Sequence, residues 1–160
     1  MRKTLLLLGA LGVFASLSAA NDIDVSGNLE IKAEVVTPLK LTLSPLDFGI
    51  VAQGGTKTAS NPGAIKIEGQ TGRNVNIYFT SNGVDNNLLA NNVTLNHERV
   101  EGQTISYAPD VTLNGQRLTN QTIALSSGIA ELKVGGSVTA ASDAAIGNYN
   151  TDVVVRVAYN

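Results

Sequence analysis

The end of the chain alternates strictly between two sets of side chains. Val153, Val155, Val157 and Tyr159 form one set, and the residues between them form the other. A period of two places the first set on one face of a β-strand. A terminal strand this apolar has to be buried in its own domain or offered to a partner. The chain end therefore predicts a β-protein whose last strand is either buried in its own domain or paired with a partner.

Strand patterns also dominate the rest of the chain. Apolar side chains alternate at Ile65 and Ile67, at Val75, Ile77 and Phe79, and at Ala130, Leu132 and Val134. Short strands are predicted at 93–95, 105–107 and 111–113, and Asn114-Gly115 predicts a type I′ hairpin turn. The alanine-rich run at 140–145 is too short to stand as a helix alone. Many short strands separated by turn signals predict a single antiparallel β-sandwich.

The first twenty residues have the organisation of a secretory signal peptide. Arg2 and Lys3 precede an apolar run at 5–14, and small residues at 18–20 favour cleavage after Ala20. A short membrane anchor is the alternative, but the apolar run is shorter than a comfortable span. No later segment approaches the ~20 apolar residues of a spanning helix. We therefore predict export, with Asn21 as the first residue of the mature chain.

Charge and cysteine content exclude several classes of protein. Removal of Arg2 and Lys3 from the eleven basic residues leaves an excess of acidic residues, of which there are thirteen. This excess argues against binding to nucleic acid or to anionic membranes. The chain has no cysteine, so a thiol nucleophile, a cysteine-bound metal and a disulfide are all excluded.

A second alternation follows the cleavage site and continues unbroken to Val35. Its apolar face consists of Ile23, Val25, Leu29 and Ile31, with Gly27 at the central position. The pattern is longer than the usual strand of about 5–6 residues, which favours a segment with two roles. We place an extension at 21–28 that continues into the first body strand, and a single domain at 29–160. The alternative is an ordinary first strand that pairs within its own chain.

The two chain ends together resemble subunits of pili assembled by the chaperone–usher route. Residues 25–36 look like the alternating extension of such subunits, and Gly27 matches a glycine among its inward positions. Gly147, fourteenth from the end, and the penultimate Tyr159 match the terminal strand. Residues 39–49 look like the cysteine-less, spore-coat-U-like relatives.

This resemblance implies an immunoglobulin-like sandwich that lacks one strand and is completed by a donor strand from another subunit. The implied donor strand runs from residue 21 to about residue 31, with inward positions Ile23, Val25, Gly27, Leu29 and Ile31. The implied groove and chaperone-facing terminal strand contain Gly147, Val153, Val155, Val157 and Tyr159. The implied partners are other copies or related pilins, a periplasmic chaperone and an outer-membrane usher, and the implied location is a surface fimbrium.

Nothing in the sequence indicates catalysis, a metal site or a cofactor. His97 is the single histidine, and it has no nearby nucleophile or second metal ligand in the sequence. No glycine-rich phosphate loop is present. We therefore expect a non-enzymatic protein, and the resemblance implies a structural subunit of a bacterial surface pilus that supports adhesion or biofilm. The alternative is a self-complete secreted β-sandwich that acts as a binding or coat protein.

Overall fold

The structure is a computed structural model that describes residues 26–81, 84–85 and 91–160. The predicted signal peptide and the donor-strand positions Ile23 and Val25 lie outside these residues. Internal contacts divide the chain into two units, residues 1–34 and residues 35–160. The second unit contains all the strands and is called the body below.

The alternating segment before the body does not form a strand in its described part. Residues 26–39 have neither helix nor strand structure, and the first strand begins at Lys40. The second unit begins at Val35, six residues after the predicted start of the domain at residue 29. A strand is stable only when its backbone groups pair with a neighbouring strand, so an alternating pattern alone does not create one.

Twelve strands and no helix form in the described residues, which confirms the all-β prediction. The strands are β1 (Lys40–Ser44), β2 (Thr56–Thr58), β3 (Gly63–Glu68), β4 (Arg73–Ser81), β5 (Val84–Asp85), β6 (Val93–His97), β7 (Thr104–Leu113), β8 (Gln116–Arg117), β9 (Thr122–Leu125), β10 (Ile129–Thr139), β11 (Tyr149–Asn150) and β12 (Val153–Tyr159).

The strands form two antiparallel sheets. The first has the order β1-β3-β10-β7-β6-β11, with β2 paired to β10 and β8 paired to β7. The second has the order β12-β4-β5, with β9 also paired to β4. The body is thus an immunoglobulin-like antiparallel β-sandwich, as the sequence analysis predicted, and β1 and β12 are edge strands of different sheets.

The core lies between the inward faces of the two sheets. The alternations predicted at β3, β4 and β10 are confirmed, because their apolar members point inward and are buried, apart from Val134, which is half-buried. The largest fully buried side chains are Ile67, Ile77, Ile123, Leu125, Leu132, Val75, Val93, Val111 and Val138. With no disulfide in the chain, this apolar burial and the sheet hydrogen bonds hold the body together.

The predicted hairpin turn is confirmed. Leu113 and Gln116 are the last paired residues of β7 and β8. Between them, Asn114 and Gly115 have φ values of 53° and 78°. Two consecutive positive φ values define a type I′ turn, whose twist matches that of the flanking strands.

The middle of the first sheet differs from the prediction. Segments 105–107 and 111–113 belong to one strand, β7, and β10 continues through Gly135 and Gly136. Gly136 pairs with Pro109, and its φ of 119° is a conformation that other residues rarely adopt. Proline removes one backbone donor, and the opposing glycine accommodates the irregularity without a break in pairing. Pro109 and the two glycines therefore mark a distortion within two long strands and not the ends of strands.

Tyr107 ties this distorted region to the core. Its ring is buried and meets Phe48 edge to face, with 5.4 Å between ring centroids. Its hydroxyl donates a hydrogen bond of 2.7 Å to the carbonyl oxygen of Gly135. Burial, with a smaller contribution from Asp110, raises the pKa of Tyr107 to about 12.

The raised pKa of Tyr107 predicts a specific loss of stability in alkali. The phenol ionises near pH 10 in the unfolded chain, whereas the folded body keeps the proton until about pH 12. In this window the unfolded state binds fewer protons, so the free energy of unfolding falls as pH rises, by about 2–3 kcal/mol in total. Urea unfolding between pH 8 and pH 12 measures this loss. Tyr107→Phe is the control, and an equal alkaline loss in that variant would contradict the assignment.

Candidate functional site

The last strand is paired along one edge only. Residues of β12 pair with β4 in continuous antiparallel register, from Val153 opposite Ser81 to Tyr159 opposite Val75. No strand among the described residues pairs with the other edge of β12. A seven-residue row of backbone donors and acceptors is therefore open to an additional strand.

The inward face of β12 is less buried than that of its neighbour. Val75, Ile77 and Phe79 on β4 are at most 2% exposed. The four predicted positions of β12 pack against the same core but remain only half-buried. The inward side chains of β4 are thus fully buried, whereas those of β12 are only partly covered.

The first strand forms the matching edge of the other sheet. β1 pairs with β3 and with no other strand of the described residues. Leu39 and Leu41 pack half-buried against the core, and Leu43 is 51% exposed. We call the half-covered inward residues of these two edge strands, which pack against the same core, the seam. They are Leu39, Leu41, Val153, Val155, Val157 and Tyr159, with Leu43 beside them on β1 opposite the buried Ile65.

Tyr159 bridges the two walls of the seam at one end. Its hydroxyl accepts a hydrogen bond of 2.8 Å from the backbone N–H of Gln70. The same hydroxyl donates a bond of 2.6 Å to the carbonyl oxygen of Thr37, just before β1. Gly69 leaves room for this contact, because a Cβ there would lie 2.7 Å from the hydroxyl and 2.8 Å from Leu39. The seam is therefore closed where β12 ends.

Gly147 lies beside His97. It precedes β11, and a Cβ on it would collide with the ring of His97 at the end of β6. Its glycine requirement comes from His97 and from a φ of 153°, and its assignment to the groove stays a prediction. A glycine at a fixed spacing before a terminal strand indicates a close backbone approach, but the sequence does not identify the neighbour.

His97 holds the segment before the last strand in place. Its Nδ1 accepts hydrogen bonds of 3.0 Å from the backbone N–H groups of Arg99 and Val100. Its Nε2 then carries the proton and donates to the carbonyl oxygen of Ile146 at 3.2 Å. The ring also meets Tyr149 edge to face, with centroids 4.9 Å apart. The single histidine therefore has a structural role, because its hydrogen bonds connect the loop at 99–100 to the loop at Ile146.

The described donor-strand positions are exposed. Leu29 and Ile31 are 84% and 86% exposed, and Gly27 has no atom within 4 Å of where a Cβ would lie. Apolar side chains with this exposure gain free energy when a partner covers them. The described part of the extension therefore has the surface that a donor strand requires.

Polar contacts cover the outer faces of both sheets. The Arg156 guanidinium stacks on Tyr78 at 4.5 Å from the ring centroid. Glu68 lies 3.0 Å from Lys66 and 3.4 Å from Lys40, and its hydrogen bond to Lys66 is the main cause of its lowered pKa. These solvated contacts distinguish the outer faces from the apolar seam.

Sequence reasoning identified one wall of the seam and missed the other. The alternation at Leu39, Leu41 and Leu43 was a signal for the second wall, but it reads equally well as an ordinary strand. Nothing in the sequence marks Gln70 and Thr37 as hydrogen-bond partners of Tyr159.

The described residues contain no group of three or more side chains that could hold a metal ion. Among those residues, no helix is long and apolar enough to cross a membrane.

A family model, described as a domain of unknown function and designated DUF4402, matches residues 45–159. The chain belongs to the DUF4402 family. The DUF4402 match covers β2 to β12, including the half-open terminal strand, and begins after β1 and the extension. A comparison with curated proteins found no match for this DUF4402 chain.

Proposed function

We propose that the protein is a structural subunit of a bacterial surface pilus that polymerises by donor-strand exchange and supports adhesion or biofilm. The seam is the observation that carries this proposal. It combines a free strand edge on β12 with an apolar lining that the body leaves half-covered. An added strand beside β12 would pair with this edge and cover the half-buried apolar face.

The extension has the complementary chemistry. Its apolar face, with Ile23, Val25, Leu29 and Ile31, matches the apolar seam, and Gly27 suits a point of close approach. Four such side chains contribute roughly 6–12 kcal/mol when buried, before any ladder hydrogen bonds. This is comparable to the whole stability of a domain, so a junction of this kind dissociates very slowly.

The same seam accounts for the proposed partners. An exported body with an open apolar strip aggregates unless a protein covers the strip before assembly. A periplasmic chaperone that adds a strand to β12 would protect it, and an outer-membrane usher would exchange the chaperone for the next subunit. The proposed role is structural and non-enzymatic, and the proposed location is the cell surface.

Removal of the donor strand tests the proposal. We expect deletion of residues 21–31 from the mature chain to abolish fibres, because no segment remains to fill the seam of a neighbour. The body should stay soluble with its chaperone. Electron microscopy and polymer ladders in unboiled samples measure the effect.

A matched pair of full-length variants controls for the loss of length. Val25→Asp with Leu29→Asp alters the apolar face and should also prevent fibres. Asp24→Ser with Glu30→Ser alters the opposite face and should assemble normally. Normal fibres from the deletion, or a wild-type mature chain that is monomeric without any partner, would refute donor-strand exchange and favour the self-complete secreted sandwich.

A further inference from the structure

Two loops form one end of the body, which we call the head. They are residues 46–55 and residues 141–148. The side chain of Gln53 donates a hydrogen bond of 2.6 Å to the carbonyl oxygen of Ala144, and the backbone N–H of Gly54 donates one of 3.0 Å to that of Ala141. Phe48 and Val51 pack in the same apolar cluster as Ala144. The two loops therefore form one fixed surface.

The head presents two apolar side chains to solvent. Ile50 is 91% exposed and Ile146 is 88% exposed. The backbone of each is held: the carbonyl oxygen of Ile50 accepts a bond of 2.9 Å from Lys57, and that of Ile146 is bonded to His97. Two isoleucines that fixed loops hold in water offer apolar area whose burial by a partner is favourable.

The geometry of the seam places the head at the exit of an inserted strand. β12 begins three residues after β11, which is attached to the head, and it ends at Tyr159. The Tyr159 bridge to Thr37 and Gln70 closes that far end. A donor strand therefore enters with its first residues towards Tyr159 and leaves at the head. It then runs antiparallel to β12, which is also the more stable pairing.

The donor copy cannot be far from the head in this arrangement. Val35, the first residue of its body, follows Ile31 by four residues, which span at most about 14 Å. Val35 is itself 93% exposed. The chain length thus brings an apolar residue of the next copy to the end of the body at which Ile50 and Ile146 are exposed.

We propose that the head is a second docking surface, which binds the end of the next copy's body that carries Val35. This inference rests on the proposed function, because donor-strand exchange brings the two surfaces together. A donor strand alone leaves a flexible joint between bodies. Contact through Ile50 and Ile146 fixes the angle between successive subunits and stiffens the fibre.

Cysteine cross-linking tests the contact directly, because the natural chain has no cysteine. Val35→Cys combined with Ile146→Cys in the full exported chain should give disulfide-linked ladders of fibre subunits after mild oxidation. The control combines Val35→Cys with Lys133→Cys, an exposed position on the outer face of β10. We expect at least about tenfold more cross-linked subunit from the first pair, the ratio that corresponds to about 1.4 kcal/mol of preference.

A charge variant tests the mechanical role. Ile50→Asp with Ile146→Asp changes two side chains that the fold leaves in water, so the body should remain folded. We expect shorter, more flexible fibres with intact donor-strand junctions, whereas Lys133→Asp fibres should match the wild type. Suppose that the wild-type chain forms fibres. The docking surface alone is then overturned if the Val35→Cys and Ile146→Cys pair cross-links no more than the control pair, or if the aspartate variant forms fibres of unchanged stiffness. A wild-type chain that forms no fibres overturns the proposed function itself.

Discussion

Gly136→Ala is expected to lower the free energy of unfolding of the body by about 2–6 kcal/mol. A Cβ at this position collides with the carbonyl oxygen of Ala108 and would lie 2.9 Å from the backbone nitrogen of Asp110. These are backbone atoms of a central strand and cannot rotate away. Strain at a φ of 119° contributes about 1–3 kcal/mol and overpacking a similar amount, against a total stability of about 5–15 kcal/mol. Urea unfolding and the yield of soluble protein measure the loss.

The neighbouring glycine provides a matched control. A Cβ on Gly135 would meet only ordinary contacts, at 3.8 Å from Asp110 and 3.9 Å from Pro62. Gly135→Ala should therefore change the free energy of unfolding by less than about 1 kcal/mol. Equal effects of the two substitutions would show that the pairing of residue 136 with Pro109 does not require a glycine at residue 136.

Tyr159→Ala is expected to destabilise the seam by about 2–4 kcal/mol, because a half-buried aromatic ring and two hydrogen bonds are lost together. Tyr159→Phe should cost about 1–2 kcal/mol, since it removes only the hydroxyl. Both variants open the closed end of the seam. We therefore expect easier unfolding in urea and, for the chaperone proposed above, weaker co-purification.

Tyr78→Ala separates this effect from a general loss of aromatic area. Tyr78 lies on the same pair of strands but on the outer face, where it stacks on Arg156. Its loss should cost less than about 1 kcal/mol and leave chaperone capture unchanged. Equal losses from Tyr78→Ala and Tyr159→Ala would contradict a special role for the closed end.

The sequence predicts the fold class well because side-chain period and burial are directly linked in a sheet. Val75, Ile77 and Phe79 are buried as the alternation requires, and the Asn114-Gly115 turn follows from the φ values that a two-residue hairpin needs. These features depend on near neighbours in the chain. Local physics therefore determines them.

Features that depend on distant residues could not be predicted in this way. Pro109 and Gly136 each resemble a strand end, and only their pairing shows that they compensate for each other. Gly147 signals a close approach, yet only the fold shows that its neighbour is His97. The half-covered state of β12 depends on which strand lies beside it, and no single segment carries that information.

The hydroxyl bond that closes the seam joins Tyr159 to Thr37, two residues that are 122 positions apart in the chain. The ends of the body therefore meet only after almost every residue has been synthesised. Until then β4 has no neighbour along the edge that β12 covers. Contacts of such long range form slowly. The folding chain therefore has unpaired strand edges until a late stage, and these edges can aggregate unless another molecule covers them.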